Sequence, residues 1–273
     1  MSDIENNVTS EQNFCIISPV KDEVITEKRS NSIARLLGKS EDNLKNEFYR
    51  FKVKQLMKMV GLHISRTKSQ GEIEQELVLS EQAGVEDVLV TPFYFSLVKG
   101  LKKKTGKRFK VNVAVDFPLG EDALKGKIAG VKEACKKGAD YVMCALPENS
   151  VKLSCFGEER RKIHKCFKAS KKPFGIIAKA GGDDGELVRI LKNTDGIKSD
   201  SIVIQGQSQD IYALKEAVET AVLYKGKRKV FVLTDVSTVD HLSMLLDSKA
   251  DKVFTPYANV LGQQLLGQSE IYS

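Results

Sequence analysis

The amino-acid sequence predicts an α/β fold, a (β/α)8 barrel with an N-terminal helical extension. Three observations support this prediction: short apolar strands alternate with amphipathic helices, about eight such strands can be counted, and one stretch contains a complete repeating unit. Strict alternation of strands and helices favours a parallel sheet covered by helices. An open doubly wound sheet is the weaker alternative.

The complete unit runs from Lys110 to Pro147. Lys110 to Val115 has β-branched residues at period two, and the Phe117-Pro118-Leu119-Gly120 turn ends the strand. A helix is expected from Glu121, with its apolar face at Leu124, Ile128, Val131 and Cys135. Tyr141 to Leu146 is a short uncharged run, typical of a strand that is buried on both faces.

The same reasoning places the other elements along the chain. Further strands are predicted within Leu56–Ile64 and at Val88–Val90, Phe174–Ala178, Ser201–Ile204, Val230–Leu233 and Lys252–Phe254. Helices are predicted at Glu72–Ala83, Phe93–Leu101, Glu158–Phe167, Glu186–Leu191, Ile211–Leu223, Val239–Leu246 and Val260–Leu266.

The chain divides into residues 1–55, a polar extension, and residues 56–273, the barrel. An amphipathic helix is predicted from Asp42 to Lys58, with an apolar face formed by Leu44, Phe48, Phe51 and Leu56. This helix needs a surface to cover, either on the barrel or in a dimer interface.

Composition narrows the class of protein. The 273 residues are 41% hydrophobic and 29% charged, enough for a sizeable core, and there is neither a run long enough to span a bilayer nor a secretory leader. The five cysteines contain no CxxC pair, which favours reduced thiols. We therefore expect a soluble cytoplasmic protein, with no metal site and no cofactor.

Positive charge is concentrated just before the strands. In a barrel these positions lie at the amino end of the strands, opposite the end that usually carries an active site. The formal net charge is +7. Helix dipoles explain one or two cations per helix, but they do not explain the seven basic residues between Lys99 and Lys110. We name these residues the basic face: Lys102, Lys103, Lys104, Lys107, Arg108, Lys110, Lys171, Lys172, Lys227, Arg228 and Lys229.

The basic face predicts an acidic partner, while the carboxyl end of the barrel is expected to be acidic, with Asp116, Glu121, Asp122, Asp210 and Asp235. Few aromatic residues accompany the cations, so stacking on nucleic acid is disfavoured and an acidic protein surface is favoured. No membrane partner is predicted.

Three signatures in succession resemble the deoxyribose-phosphate aldolase family. They are Val88-Leu89-Val90-Thr91-Pro92-Phe93-Tyr94, Val113-Ala114-Val115-Asp116-Phe117-Pro118-Leu119-Gly120 and Gly138-Ala139-Asp140. The resemblance extends from about Met57 to the end of the chain. It implies a (β/α)8 barrel, in agreement with the strand count.

The family resemblance also implies a chemistry. The family cleaves 2-deoxyribose 5-phosphate through a Schiff base on a strand-six lysine, assisted by a strand-seven lysine and a strand-four aspartate. Carried onto this sequence, the aspartate falls on Met143, the Schiff-base lysine on Val203 and the second lysine near Leu233. We therefore expect no catalytic residue at these positions, in a degenerate member similar to aldolase-like paralogues of apicomplexan parasites.

Two residues keep alternatives open. Lys179, after the fifth strand, could serve a redirected aldolase with Asp116 and Asp235 across the mouth; a surface lysine paired with Asp183 or Asp184 is the favoured interpretation. His63 matches a family histidine, but a hydrogen-bonded core residue is the favoured interpretation.

The resemblance also suggests partners. Some aldolases of the wider glycolytic class bind filamentous actin through a basic surface, so by that resemblance an acidic filament such as actin is a concrete candidate partner. Family members are often dimers, which leaves a homodimer open. The alternative function is an active class I carbon–carbon lyase.

Overall fold

The structure is a computed structural model that describes residues 50–64, 68–147, 156–180, 185–194 and 199–271. Contacts within the chain separate residues 1–49 from a compact unit formed by residues 50–273. The described residues all belong to this second unit. The predicted extension is therefore described only from residue 50 onward.

Eight parallel strands close into a barrel in sequence order, and β1 pairs with both β2 and β8. The predicted fold class is confirmed. The strands are β1 (Val60–Ile64), β2 (Asp87–Val90), β3 (Lys110–Val115), β4 (Tyr141–Ala145), β5 (Phe174–Lys179), β6 (Ser201–Gln205), β7 (Lys229–Leu233) and β8 (Lys252–Thr255).

Helices surround the barrel. They are α1 (residues 50–57 as described), α2 (Gln70–Ala83), α3 (Pro92–Thr105), α4 (Leu124–Lys136), α5 (Phe156–Ser170), α6 (Glu186–Thr194), α7 (Ile211–Tyr224), α8 (Val239–Asp247) and α9 (Ala258–Ile271). Helix α4 begins three residues later than predicted. The Asp116 carboxylate accepts the backbone N–H of Asp122 at 3.1 Å, which holds this segment in a turn.

The described part of α1 buries a different face from the predicted one. Phe51, expected to be covered, is 57% exposed, whereas Val53 and Met57 are buried. The backbone of Lys54 lies against Gly84 at the end of α2, and Met57 approaches Gly262 of α9. Tertiary contacts with α2 and α9 therefore decided which side of this helix is covered. The predicted Leu44 and Phe48 contacts lie outside the described residues.

The barrel interior is closed by one apolar cluster. Its buried members are Leu89, Ala114, Met143, Ala145, Ile177, Val203, Phe231, Leu233 and Phe254. Gly61 leaves room for it, because a Cβ there would overlap the Phe254 ring. Such inward-facing residues in alternating positions fill the barrel as a core rather than leaving a pore.

The Phe117–Gly120 turn is held by packing at the carboxyl end of β3. Gly120 has φ of +71°, and its N–H donates to the Asp116 carbonyl at 2.7 Å. A Cβ on Gly120 would lie 2.5 Å from the backbone carbonyl carbon of Leu146, so glycine is required on both grounds. This turn is therefore needed for the architecture whatever the barrel does chemically.

Candidate functional site

The three positions that the resemblance assigns to catalysis lie together inside the barrel. Met143 on β4, Val203 on β6 and Leu233 on β7 belong to the same buried cluster. Their side chains are a thioether and two branched hydrocarbons. None of these can form a Schiff base or relay a proton.

The register of β6 and β7 adds detail to the seventh strand. Val203 pairs with Phe231, whereas Leu233 pairs with Gln205. Phe231 and Leu233, the two positions of β7 that belong to the buried cluster, are thus both apolar, so either of them as the match to the second lysine gives the same conclusion.

Lys179 ends β5 at the carboxyl end of the barrel, and its side chain is exposed. The two carboxylates proposed beside it have other partners. Asp235 accepts the backbone N–H of Ser208 at 2.6 Å, which joins the segments that follow β6 and β7. Asp116 pairs with Lys127 at 3.3 Å. Asp183 and Asp184, the alternative partners of Lys179, lie outside the described residues.

A buried ionic cluster lies behind β3, and the sequence analysis did not find it. Lys127 on α4 is 1% exposed; its ammonium contacts the Asp116 carboxylate and donates to Glu159 of α5. The sequence did contain a signal. Lys127 occupies a core-facing position one turn before Val131, where an apolar residue is expected.

Burial and pairing have opposite effects on this cluster. Desolvation alone would lower the pKa of Lys127, but the hydrogen bond and charge of Glu159, with Asp116, outweigh it and raise the pKa above its ordinary value. Burial raises the pKa of Asp116. Burial also raises the pKa of the neighbouring Cys144 thiol to about 12, so this cysteine is not a reactive nucleophile. The cluster is a structural ionic network on the outer side of the sheet.

His63 is buried at the carboxyl end of β1, as expected, but it is not hydrogen-bonded through Nε2. Its ring packs edge-on against Phe117, with ring centroids 5.3 Å apart. Burial, assisted by the charge of Lys68, lowers the pKa of His63 from 6.5 to about 4. The imidazole is therefore neutral at physiological pH.

The depressed pKa of His63 predicts a pH-dependent stability. Between pH 6.5 and about 4 the unfolded imidazole binds a proton that the folded one does not, so stability falls as pH is lowered through this window. The loss should approach about 3 kcal/mol. We expect His63→Leu to reduce this dependence in urea unfolding measured at pH 7 and pH 4.5, whereas His241→Gln should retain it. An unchanged dependence in His63→Leu would contradict the assignment.

At the amino end of the barrel the inward-facing positions are polar. Residues two positions before members of the apolar cluster face the same side of each strand. On six strands these first inward positions hold Asp87, Asn112, Tyr141, Ser201, Lys229 and Lys252. The sequence signal was a polar residue at the start of otherwise apolar strands, and the sequence analysis passed over it.

Within this polar ring most groups are paired. Asn112 Nδ2 donates to Asp87 Oδ1 at 3.0 Å, and Lys252 pairs with the other oxygen of Asp87. The Tyr141 hydroxyl donates to Ser201 Oγ at 2.8 Å. Gly175 makes this last pair possible, because a Cβ there would lie 2.6 Å from Ser201 Oγ.

Five of the six ring residues, all except Ser201, line a cavity of about 770 Å³. We name it the amino-end cavity. Its wall includes three aspartates that precede β4, β6 and β8. Each aspartate carboxylate accepts the backbone N–H of a residue on the preceding strand: Asp140 from Val111, Asp200 from Phe174 and Asp251 from Val230, all at 2.8 Å.

These aspartates correct the expected charge separation. The amino end is not uniformly basic, because Asp87, Asp140, Asp200 and Asp251 lie within it. Asp140, Asp200 and Asp251 act locally: each carboxylate accepts a backbone N–H near the start of a neighbouring strand. The prediction of a basic amino end rested on the lysines before the strands and did not include the aspartate that directly precedes β4, β6 and β8.

Residues of the basic face differ in their contacts. Arg228 is 8% exposed, and its guanidinium donates to the carbonyls of Tyr224 and Lys225 at the end of α7. Three others form ion pairs: Lys102 with Asp140, Lys104 with Glu74 and Lys107 with Glu81. Six exposed members have no ion-pair partner among the described residues: Lys103, Arg108, Lys110, Lys171, Lys227 and Lys229.

In the described ranges, the three cysteines Cys135, Cys144 and Cys166 are free thiols. Within those same ranges no helix combines the length and apolar character needed to cross a membrane. Cys15 and Cys155 lie outside them.

The closed parallel barrel and its helices define a protein of the (β/α)8 class. Sequence comparison then relates the chain to deoxyribose-phosphate aldolases. It is 30% identical over 113 residues to that enzyme of Thermoanaerobacter sp. (strain X514), covering 41% of this chain and 49% of the relative. It is 32% identical over 138 residues to that of Mycoplasma pneumoniae, covering 48% and 61%. The chain is thus deoxyribose-phosphate aldolase-like.

The matched region spans only 49% to 61% of the length of these two curated relatives. No protein-family model matches the sequence. Among solved structures, the deoxyribose phosphate aldolase of Aeropyrum pernix superposes with a TM-score of 0.66 at 17% identity, over 79% of this chain and 94% of that one. At this identity the superposition shows a shared fold.

Proposed function

We propose that this protein is a non-catalytic relative of the deoxyribose-phosphate aldolases, which acts in the cytoplasm by docking an acidic protein surface. The observation that carries the first part is the apolar cluster of Met143, Val203 and Leu233. The aldol cleavage of the relatives needs an amine and a proton relay in such positions. Hydrocarbon and thioether side chains supply neither.

The six exposed cations of the basic face that have no ion-pair partner among the described residues support docking. Lys103 and Arg108 flank the junction of α3 and β3, and Lys171 lies between α5 and β5. Ammonium and guanidinium groups without an internal partner are available for acidic side chains on another surface, and such contacts govern association rate and salt dependence. An acidic filament such as actin is the candidate partner.

Co-sedimentation with filamentous actin tests this proposal. We expect the full chain to pellet with filaments at low salt and to be released at about 0.5 M salt. The variant Arg108→Glu/Lys171→Glu should lose most of this binding. Its matched control is Lys125→Glu/Lys132→Glu, which makes the same charge change on the outer side of α4.

Equal loss in both double variants would indicate a response to net charge alone and would contradict a defined docking face. Absence of pelleting at low salt would exclude actin. Cross-linking without filaments would detect the homodimer that the resemblance leaves open.

A further inference from the structure

The amino-end cavity has the construction of a ligand site rather than of a plugged barrel end. Its inner part is apolar and aromatic, formed by Tyr141, Met143, Phe231 and Phe254. Its volume of about 770 Å³ lies within the range of small-molecule and cofactor sites. It lies at the opposite end of the strands from the usual catalytic mouth.

The cavity rim carries three ammonium groups that form no ion pair with the described residues. Lys110, Lys227 and Lys229 are exposed and have no ion-pair partner among the described residues. Three of the four aspartates that line the cavity pair with other lysines: Asp87 with Lys252, Asp140 with Lys102 and Asp251 with Lys225. Three ammonium groups around one opening suit a ligand group that carries several negative charges.

Two buried polar atoms of the cavity wall have no hydrogen-bond partner among the described residues. Asn112 is 2% exposed, and since its Nδ2 donates to Asp87, its Oδ1 is left as an acceptor without a donor. Ser199 Oγ also has no partner. A ligand with an N–H donor at its inner end would satisfy Asn112.

We propose that the amino-end cavity binds a nucleoside phosphate whose base carries an exocyclic amino group. The base lies inward against the aromatic residues, its amino group donates to Asn112 Oδ1, and its phosphates contact Lys110, Lys227 and Lys229. The base is placed at the inner end because that part of the cavity is apolar, and the phosphates are placed at the rim because that part is basic. The assignment involves binding without chemistry and does not depend on docking to an acidic protein.

Isothermal titration calorimetry of the full chain with ATP tests the site. We expect saturable binding, weakened about tenfold by Lys229→Met, because one charged contact to phosphate is lost. Lys171→Met is the matched control. It removes an exposed lysine of the same face that has no ion pair with the described residues and does not line the cavity, so this variant should bind ATP as the wild type does.

Two further ligands test the base contact. Tripolyphosphate should bind at least about tenfold more weakly than ATP, because it cannot occupy the aromatic part of the cavity. Inosine triphosphate, which lacks the amino group, should also bind more weakly. Asn112→Ser should remove the difference between ATP and inosine triphosphate. If that variant does not fold, the comparison of the two nucleotides on wild type still decides the point.

Absence of ATP binding at about 1 mM would overturn the proposal. So would ATP binding that Lys229→Met and Lys171→Met weaken equally, or tripolyphosphate binding as tight as that of ATP. Actin docking is tested with Arg108 and Lys171, neither of which lines the cavity, so failure of one proposal is distinguishable from failure of the other.

Discussion

Purified protein is expected to release no acetaldehyde from 2-deoxyribose 5-phosphate above the uncatalysed rate. A deoxyribose-phosphate aldolase that retains both lysines, assayed beside it, should exceed it by at least about 10⁴-fold, the scale of losing a covalent nucleophile. The physical reason is the chemistry of the barrel interior, where Met143, Val203 and Leu233 are packed without an amine or a carboxylate among them.

Turnover within tenfold of the active enzyme would contradict this expectation and would require an amine elsewhere. Lys179 is then the residue to examine, since it is exposed at the carboxyl end of β5. Borohydride reduction in the presence of substrate would trap an adduct on Lys179, and Lys179→Met would abolish both the adduct and the activity. We expect no adduct.

Lys127→Met should lower the free energy of unfolding by about 3–5 kcal/mol, measured by urea denaturation at pH 7. Removal of the ammonium leaves Asp116 and Glu159 buried beside each other without a counter-charge. The matched control is Lys125→Met, two residues earlier on α4 and exposed, which should change stability by less than about 0.5 kcal/mol.

A second variant distinguishes two contributions to the free energy of unfolding: the cost of leaving two buried carboxylates without a counter-charge, and the net contribution of the whole ionic cluster. Asp116→Asn/Lys127→Met/Glu159→Gln removes all three charges together and should recover much of the lost stability, because replacing a whole buried ionic network is often close to neutral. A loss below about 1 kcal/mol for Lys127→Met alone would show that the cluster is not buried in solution.

Much of the fold was decided locally. Strands such as Ser201–Gln205 and Lys229–Leu233 are short and apolar, and polar or turn-forming residues bound them. The existence and order of the strands can therefore be predicted from hydrophobic periodicity and from the positions of turn residues. The turn at Phe117–Gly120 could also be predicted from the sequence, because proline and glycine favour turn conformations whatever residues surround them. From these elements the barrel follows, because alternating strands and helices have few other ways to bury both faces.

Contacts between distant segments decided the rest. The partner of Asp116 is Lys127, which reaches Glu159 on another helix, and no local pattern carries that information. Likewise, Val53 and Met57 rather than Phe51 are covered, because α2 and α9 approach α1 from that side. Burial of a helix face depends on the neighbouring surface as well as on the sequence of the helix.

At the two ends of the barrel, too, some features could be predicted from the sequence and others depended on tertiary contacts. From the sequence alone came the apolar residues at the three positions matched to the relatives, and the accumulation of lysines before strands. Only the closed barrel brought polar inward residues of five strands around one cavity, and only there do Asp87, Asn112 and Lys252 meet. Closure does this because period-two alternation sends one side of every strand to a common axis, so residues far apart in sequence become neighbours.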